Sequence, residues 1–204
     1  MNKYTVVTNH MLTGMINRHT QWRTEHFKSM SPSGNWDDYI LHNFRLERML
    51  LDFRGVDLSE QNLSLISILD TYFMGVPCVN TSFANATLSN CDFRGADLRN
   101  ADFRWAKLIN CDFRGADLRN AKFQSADCTG SKFAGAIFEN TDFALSILKN
   151  ADFSGSNIPN GKFEYANLTN TNFSRANISN ANFSHVLDWS PILDNAVTDG
   201  MVMP

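Results

Sequence analysis

The 204 residues carry 18 Lys and Arg against 21 Asp and Glu, a formal charge of -3, with 43% hydrophobic and 19% charged side chains. That length buries a sizeable core in one domain with at most a small appendage, and the near-neutral balance argues against direct nucleic-acid binding and against an acidic disordered tail. No stretch approaches the roughly 18 consecutive apolar residues of a membrane span, and the start, MNKYTVVTNH, lacks an apolar signal segment, so a cytoplasmic protein without membrane contact is expected.

In chain order, the first element expected is a helix that Thr8 caps, with Leu12, Met15, Ile16, His19, Trp22 and His26 on one face, Lys28 near its end and Pro32 beyond it. Residues 35–51 read as a connector and an imperfect first coil, because Phe44 and Met49 are five apart but out of phase with Phe53. Residues 1–50 are therefore expected to form a small α-helical N-terminal cap and connector.

From Phe53 to Phe183 every fifth residue is apolar without a break, and two residues before each stands a second, mostly small series: Ala86, Cys91, Ala96, Ala101, Ala106, Cys111 and onward. Two of every five residues thus point inward, separated by two as in a strand. Period five fits neither a straight strand nor an α-helix, so the backbone must turn once per repeat and bring each inward pair back to a common axis. The segment Asn90–Ala101 recurs unchanged at Asn110–Ala121, a shift of twenty, which implies four repeats per coil.

On that assumption the central residues sort into four columns. Phe53, Phe73, Phe93, Phe113, Phe133, Phe153 and Phe173 form one; Leu63, Phe83, Phe103, Phe123, Phe143, Phe163 and Phe183 form the one opposite. The other two, with Leu98 and Leu118, are Leu, Ile and Cys, interrupted by Phe138. The expectation is an all-β, right-handed quadrilateral parallel β-helix over residues 51–186, about seven coils and roughly 33 Å long at ~4.8 Å per coil, with Phe93, Phe103, Phe113, Phe123, Leu98 and Leu118 filling its axis. The tail, 187–204, breaks the repeat at Asp188 yet keeps Leu187, Trp189, Ile192, Leu193, Val197 and Met201; it reads as a short C-terminal cap over the last coil or a dimerisation tail.

Segments such as CDFRGADLRNADF and GKFEYANLTNTNF resemble the A(D/N)LXX pattern of pentapeptide-repeat proteins, over about 51–186. The resemblance supports the four-sided right-handed coil and implies that no repeat residue is catalytic. His19-x-x-Trp22 is similar to an element that precedes the coil in bacterial and phage members, where it belongs to the N-terminal cap. Family members include gyrase-protecting DNA mimics, effectors and phage-encoded proteins, so function transfers less well than fold.

The candidate functional features are outward ones. Asp92 with Arg94, Asp97 with Arg99, Asp102 with Arg104, Asp112 with Arg114 and Asp117 with Arg119 form a charge lattice, read first as cross-coil pairing and second as a docking surface of Arg94, Arg99, Arg104, Trp105, Arg114 and Arg119. Arginine neutralises the densest Asp run, which counts against DNA mimicry. Above it, Asn167, Asn172, Asn177 and Asn182 suggest neutral ladders; Leu69, Leu145 and Tyr165 are further outward apolar residues, and Pro77 and Pro159 suggest irregular corners.

No metal or cofactor site is expected: His10, His19, His26 and His42 lack a Cys or paired carboxylate partner, Cys78, Cys91, Cys111 and Cys128 read as reduced core residues, and Gly55, Gly75, Gly95, Gly115, Gly135 and Gly155 are spaced as coil corners. The reading is a non-enzymatic protein-binding or scaffold module, phage-encoded or effector-like, with a protein partner whose identity is open and a homodimer through the C-terminal end allowed. The alternatives are a DNA-mimicking topoisomerase-binding protein and a structural part of a virion or injection machine.

Overall fold

The computed structural model describes residues 52–204, the segment Thr5–Val6 and the single position Gly14. The expected helix beginning at Thr8, the His19-x-x-Trp22 element, His10, His26, His42 and the connector lie outside the described residues, Gly14 excepted.

One repeat shows why the chain coils. In Cys91–Gly95, Cys91 N donates to Leu88 O across the preceding corner (3.2 Å), Asp92 N donates to Thr71 O in the coil below (2.9 Å) and Phe93 N donates to Asp112 O in the coil above (2.7 Å). Arg94 N donates to the Asp92 side chain (3.1 Å), and Gly95 N to Arg114 O above (3.1 Å). All five backbone donors are satisfied within the fold, although each side is only a few residues long. The corner closes by a bond from Ala96 N to Phe93 O (3.0 Å), with φ +62° at Gly95, the pattern of a type II turn.

Repetition of this unit builds a right-handed quadrilateral β-helix. The parallel pairings run at a constant step of twenty: Asp92 with Asp112, Asp97 with Asp117, Asp102 with Lys122, Lys107 with Asp127. At the start, β1 (Thr5–Val6) pairs in parallel with β2 (Val56–Asp57), Thr5 opposite Val56.

The interior is solid. Phe93, Phe103, Phe113, Phe123, Leu98 and Leu118 are fully buried. Within each Phe column the rings stack on the coil above, Phe93 on Phe113 at 4.9 Å and Phe103 on Phe123 at 4.9 Å; across the axis the columns meet edge to face, Phe93 against Phe103 at 5.9 Å and 85°. Both are favoured aromatic geometries. Polar members of the small inward series bond to backbone: Thr81 Oγ1 donates to Leu58 O (2.8 Å), Thr141 Oγ1 to Leu118 O (3.0 Å) and Thr171 Oγ1 to Leu148 O (2.9 Å).

Phe138, in a column of smaller residues, tilts against Phe133, Phe143 and Phe153 at 5.7 to 6.0 Å. Its N–H reaches Asn157 O at 3.2 Å, where Leu118 N reaches Ile137 O at 2.8 Å, so the ladder is longer at the coil that takes the extra ring. Gly161 occupies a small inward position one coil above; a Cβ there would stand 2.8 Å from both Ile158 and Phe163 side chains.

The two prolines do not disturb the coil as expected. Pro77 keeps its pairing with Asp97, its carbonyl accepting from Leu58 N at 2.9 Å. Pro159 is the second residue of a corner that closes from Gly161 N to Ile158 O (3.3 Å), a position proline favours. Residues 187–204 continue the ladder over the coil beneath: Asp188 pairs with Asn167, Ile192 with Asn172, Val197 with Asn177 and Val202 with Asn182. Trp189 meets the Phe183 ring at 5.2 Å, and Leu193 and Met201 pack on the core.

Candidate functional site

The outward lattice is built by the backbone before it is built by charge. Asp or Asn at the paired position of a repeat accepts, through Oδ1, the N–H two residues on: Arg94 N to Asp92 (3.1 Å), Arg104 N to Asp102 (3.0 Å), Thr169 N to Asn167 (3.0 Å), Ser184 N to Asn182 (3.0 Å). This is an Asx-type cap on the one backbone donor that the ladder and the turn leave over. It turns the carboxylate toward its own repeat. The following arginine then closes on it: Nε and Nη2 of Arg94 hold Asp92 at 2.9 and 2.7 Å, those of Arg104 hold Asp102 at 2.9 and 2.6 Å, and those of Arg119 hold Asp117 at 2.9 and 2.6 Å.

The cross-coil pairing expected from sequence is present, but it is secondary to pairing within each repeat. The contacts to the next coil, Arg94 Nε to Asp112 and Arg99 Nε to Asp117, are 3.9 Å, because each aspartate is already committed to its own cap and its own arginine. The arginine side chains remain 40 to 48% exposed, and among the described residues none of the five uses Nη1 in a hydrogen bond. Burial pushes the Asp102 and Asp112 carboxyls up, but the hydrogen bonds from Arg104 and Arg114 outweigh it and hold both below the ordinary value. For Asp117 the Arg119 hydrogen bond is the leading influence, and it too lies low.

The structure splits the six candidate docking residues over three successive sides. Arg94 lies beneath Arg114, and Arg99 beneath Arg119 on the next; Arg104 and Trp105 stand on the third, with the guanidinium carbon 5.5 Å from the indole centroid. In the upper coils Asn177 donates to Asn157 (2.8 Å), Asn172 to Asp152 (3.1 Å) and Asn182 to Glu164 (2.7 Å), and all four asparagines, Asn167 included, cap their own repeats.

The four corners differ in a way that the sequence reading missed. Every corner carries a residue with φ near +60°, a conformation that suits Gly and Asn and costs other residues about 1 to 2 kcal/mol. One corner is Gly55, Gly75, Gly95, Gly115, Gly135 and Gly155, followed by Arg175 and Asn195; a second runs Glu60, Asn80, Asn100, Asn120, Asn140, Asn160, Asn180 and Gly200. A third is mostly Asn, including Asn90, Asn110, Asn150 and Asn170. The fourth is Leu65, Asn85, Trp105, Ser125, Leu145, Tyr165 and His185, at φ 58 to 65°. Leu65, Trp105, Leu145 and Tyr165 are 48 to 78% exposed, and Tyr165 stacks on His185 at 4.9 Å. Sorting the corner residues by the step of twenty would have found this column, but its residues look unrelated when read along the chain.

Two family models match the chain: a pentapeptide repeat region over residues 49–123, and pentapeptide repeats in eight copies over 111–150, 126–164 and 162–186, together without a gap from 49 to 186. The chain belongs to the pentapeptide-repeat family. Similar solved structures include a pentapeptide repeat protein of the Arabidopsis thaliana thylakoid lumen (31% identity, 50% of this chain and 68% of that one, TM-score 0.40). Rfr23 of the cyanobacterium Cyanothece is 22% identical over 68% of this chain and 91% of that one, with a TM-score of 0.45. QnrB1, a plasmid-mediated fluoroquinolone resistance protein, is 17% identical over 73% and 89%, with a TM-score of 0.38. No curated protein matches the sequence.

In this pentapeptide-repeat protein the cysteine thiols are shut away. Cys78, Cys91, Cys111 and Cys128 are buried in the core and form no disulfide, and burial drives the Cys78, Cys111 and Cys128 thiols well above their ordinary values. Among the described residues no cluster of His, Cys, Asp or Glu is arranged to hold a metal ion, and no helix is long and apolar enough to cross a membrane.

Proposed function

We propose that this pentapeptide-repeat protein is a non-enzymatic protein-binding or scaffold module that works through the outside of a rigid rod. The observation that carries this reading is the filled axis, two stacked Phe columns meeting edge to face, which leaves recognition to outward side chains. Arg94, Arg99, Arg114 and Arg119 form the docking surface, with Arg104 and Trp105 at its margin; their Nη1 groups, which make no hydrogen bond among the described residues, suit a carboxylate-bearing protein. A mimic of duplex DNA needs carboxylates free of cations, and the lattice aspartates are each closed by an arginine.

Site-specific photocrosslinking from positions 94, 99, 114 and 119, in extract of the source organism, tests the surface against positions 172, 177 and 182. A discrete protein adduct from the arginine positions alone is expected; adducts equal from both sets count against it. A topoisomerase supercoiling assay with the purified chain separates the competing reading, and no effect at micromolar concentration is expected.

A further inference from the structure

On three corners of the coil the left-handed backbone is held mostly by Gly, Asn or Asp, with Glu60 and Arg175 as exceptions; on the fourth, Leu65, Trp105, Leu145 and Tyr165 stand in it. Leu65, Trp105, Leu145 and Tyr165 all stand exposed in a conformation that disfavours them. Conflicts of this kind between local backbone preference and residue choice mark functional positions. The side of the coil that leads into this corner carries charges that alternate by coil: Asp102, Lys122, Asp142 and Lys162, in one run of parallel pairings. Lys122 and Lys162 are exposed and make no ion pair among the described residues, unlike the lattice arginines.

We propose that this corner is a lateral self-association edge, on which a second copy of the chain docks antiparallel. The argument is reciprocity of charge and size. A two-fold axis perpendicular to the rod, placed between the coils of Lys122 and Asp142, sets Lys122 against Asp142 of the second copy and Asp102 against its Lys162. The same axis sets Trp105 against Tyr165, and the small Ser125 against the large Leu145. Each contact occurs twice, as an isologous interface requires. Ile147, 43% exposed beside Leu145, widens the apolar centre, and the charges form its rim. A parallel two-fold pairing fits less well. It places Leu145 on Leu145 and Ser125 on Ser125, bulk on bulk and gap on gap, and sets Asp142 against Ile147 and Lys162 against Asn167. The edge is separate from the surface of Arg94, Arg99, Arg114 and Arg119, so either can fail alone.

Sedimentation equilibrium of the full chain tests the edge, with a dimer expected in the micromolar range. The triple variant Trp105→Asn, Leu145→Asn, Tyr165→Asn puts at this corner the residue that two of the others use. It should weaken dimerisation by about a hundredfold or more while the monomer melts at the same or a higher temperature. Lys122→Glu should weaken association by roughly tenfold, and adding Asp142→Lys should restore it, because the two positions face each other across the axis. A chain that stays monomeric at about 100 μM, tens of times above a micromolar Kd, overturns the proposal. So does a dimer that survives the triple variant, or a double charge reversal that fails to rescue the single one.

Discussion

The stretch from Asp92 to Arg119 and the stretch from Asn167 to Ser184 are the same backbone with different outward chemistry. Both run four repeats to a coil, both stack Phe on Phe inside, and both cap the same leftover N–H, through Asp92, Asp102 and Asp117 in the first and through Asn167, Asn172 and Asn182 in the second. The difference teaches that the fold demands an Asx oxygen and is indifferent to its charge. Aspartate appears wherever an arginine follows two residues later, and there the carboxylate does a second task that the amide of asparagine cannot, holding a guanidinium in a two-point grip.

The largest effect should be one that both stretches share. Phe113→Ala, in the middle of a stacked column, should cost about 3 to 5 kcal/mol in chemical denaturation, and Phe138→Leu, which removes the misfit ring from a column of smaller residues, less than about 1.5 kcal/mol. Equal losses from the two would show that the columns are not distinct.

Next in size is the cap. Asp117→Ala and Asn172→Ala should each lower stability by about 1 kcal/mol, and Asp117→Asn by clearly less than Asp117→Ala, since the amide oxygen still accepts from Arg119 N. If Asp117→Asn melts as low as Asp117→Ala, the charge and not the cap is what the fold requires.

Acid separates the stretches further. The carboxyls of Asp102, Asp112 and Asp117 lie below their ordinary value in the folded chain, so the unfolded chain takes up protons first as pH falls. Their contribution is fully present above the ordinary aspartate range and is lost below about pH 4, as pH falls through the folded values. Melting temperature should therefore drop in that window, and a variant with asparagine at all three positions should drop less steeply. The smallest change belongs to the arginines: Arg99→Ser, exposed as that side chain is, should leave the melting temperature nearly unchanged, and added salt should diminish whatever loss there is.

Legibility followed periodicity. The five-residue step exposed the core because burial is an all-or-none demand repeated without a break from Phe53 to Phe183, and the twenty-residue recurrence at Asn90 and Asn110 exposed the coil. The glycine corner was readable because glycine recurs there at steps of twenty from Gly55 to Gly155. The partner of each aspartate was not: two arginines, one in the same repeat and one in the next coil, stand at similar sequence logic, and only the cap geometry chooses. The step of one extra residue before Asp188 likewise hid the continued ladder of the tail.

By itself the sequence determined the architecture, because stacking two apolar residues in every five on a common axis leaves no other way to bury them. What only the tertiary structure decided is what the outside does: that aspartate serves its own repeat before its neighbour, and that Leu65, Trp105, Leu145 and Tyr165, far apart along the chain, share one edge in a backbone conformation that none of them favours. Such outward relations depend on the direction of each Cβ at a corner, and that direction is set by φ, which the hydrophobic pattern does not encode.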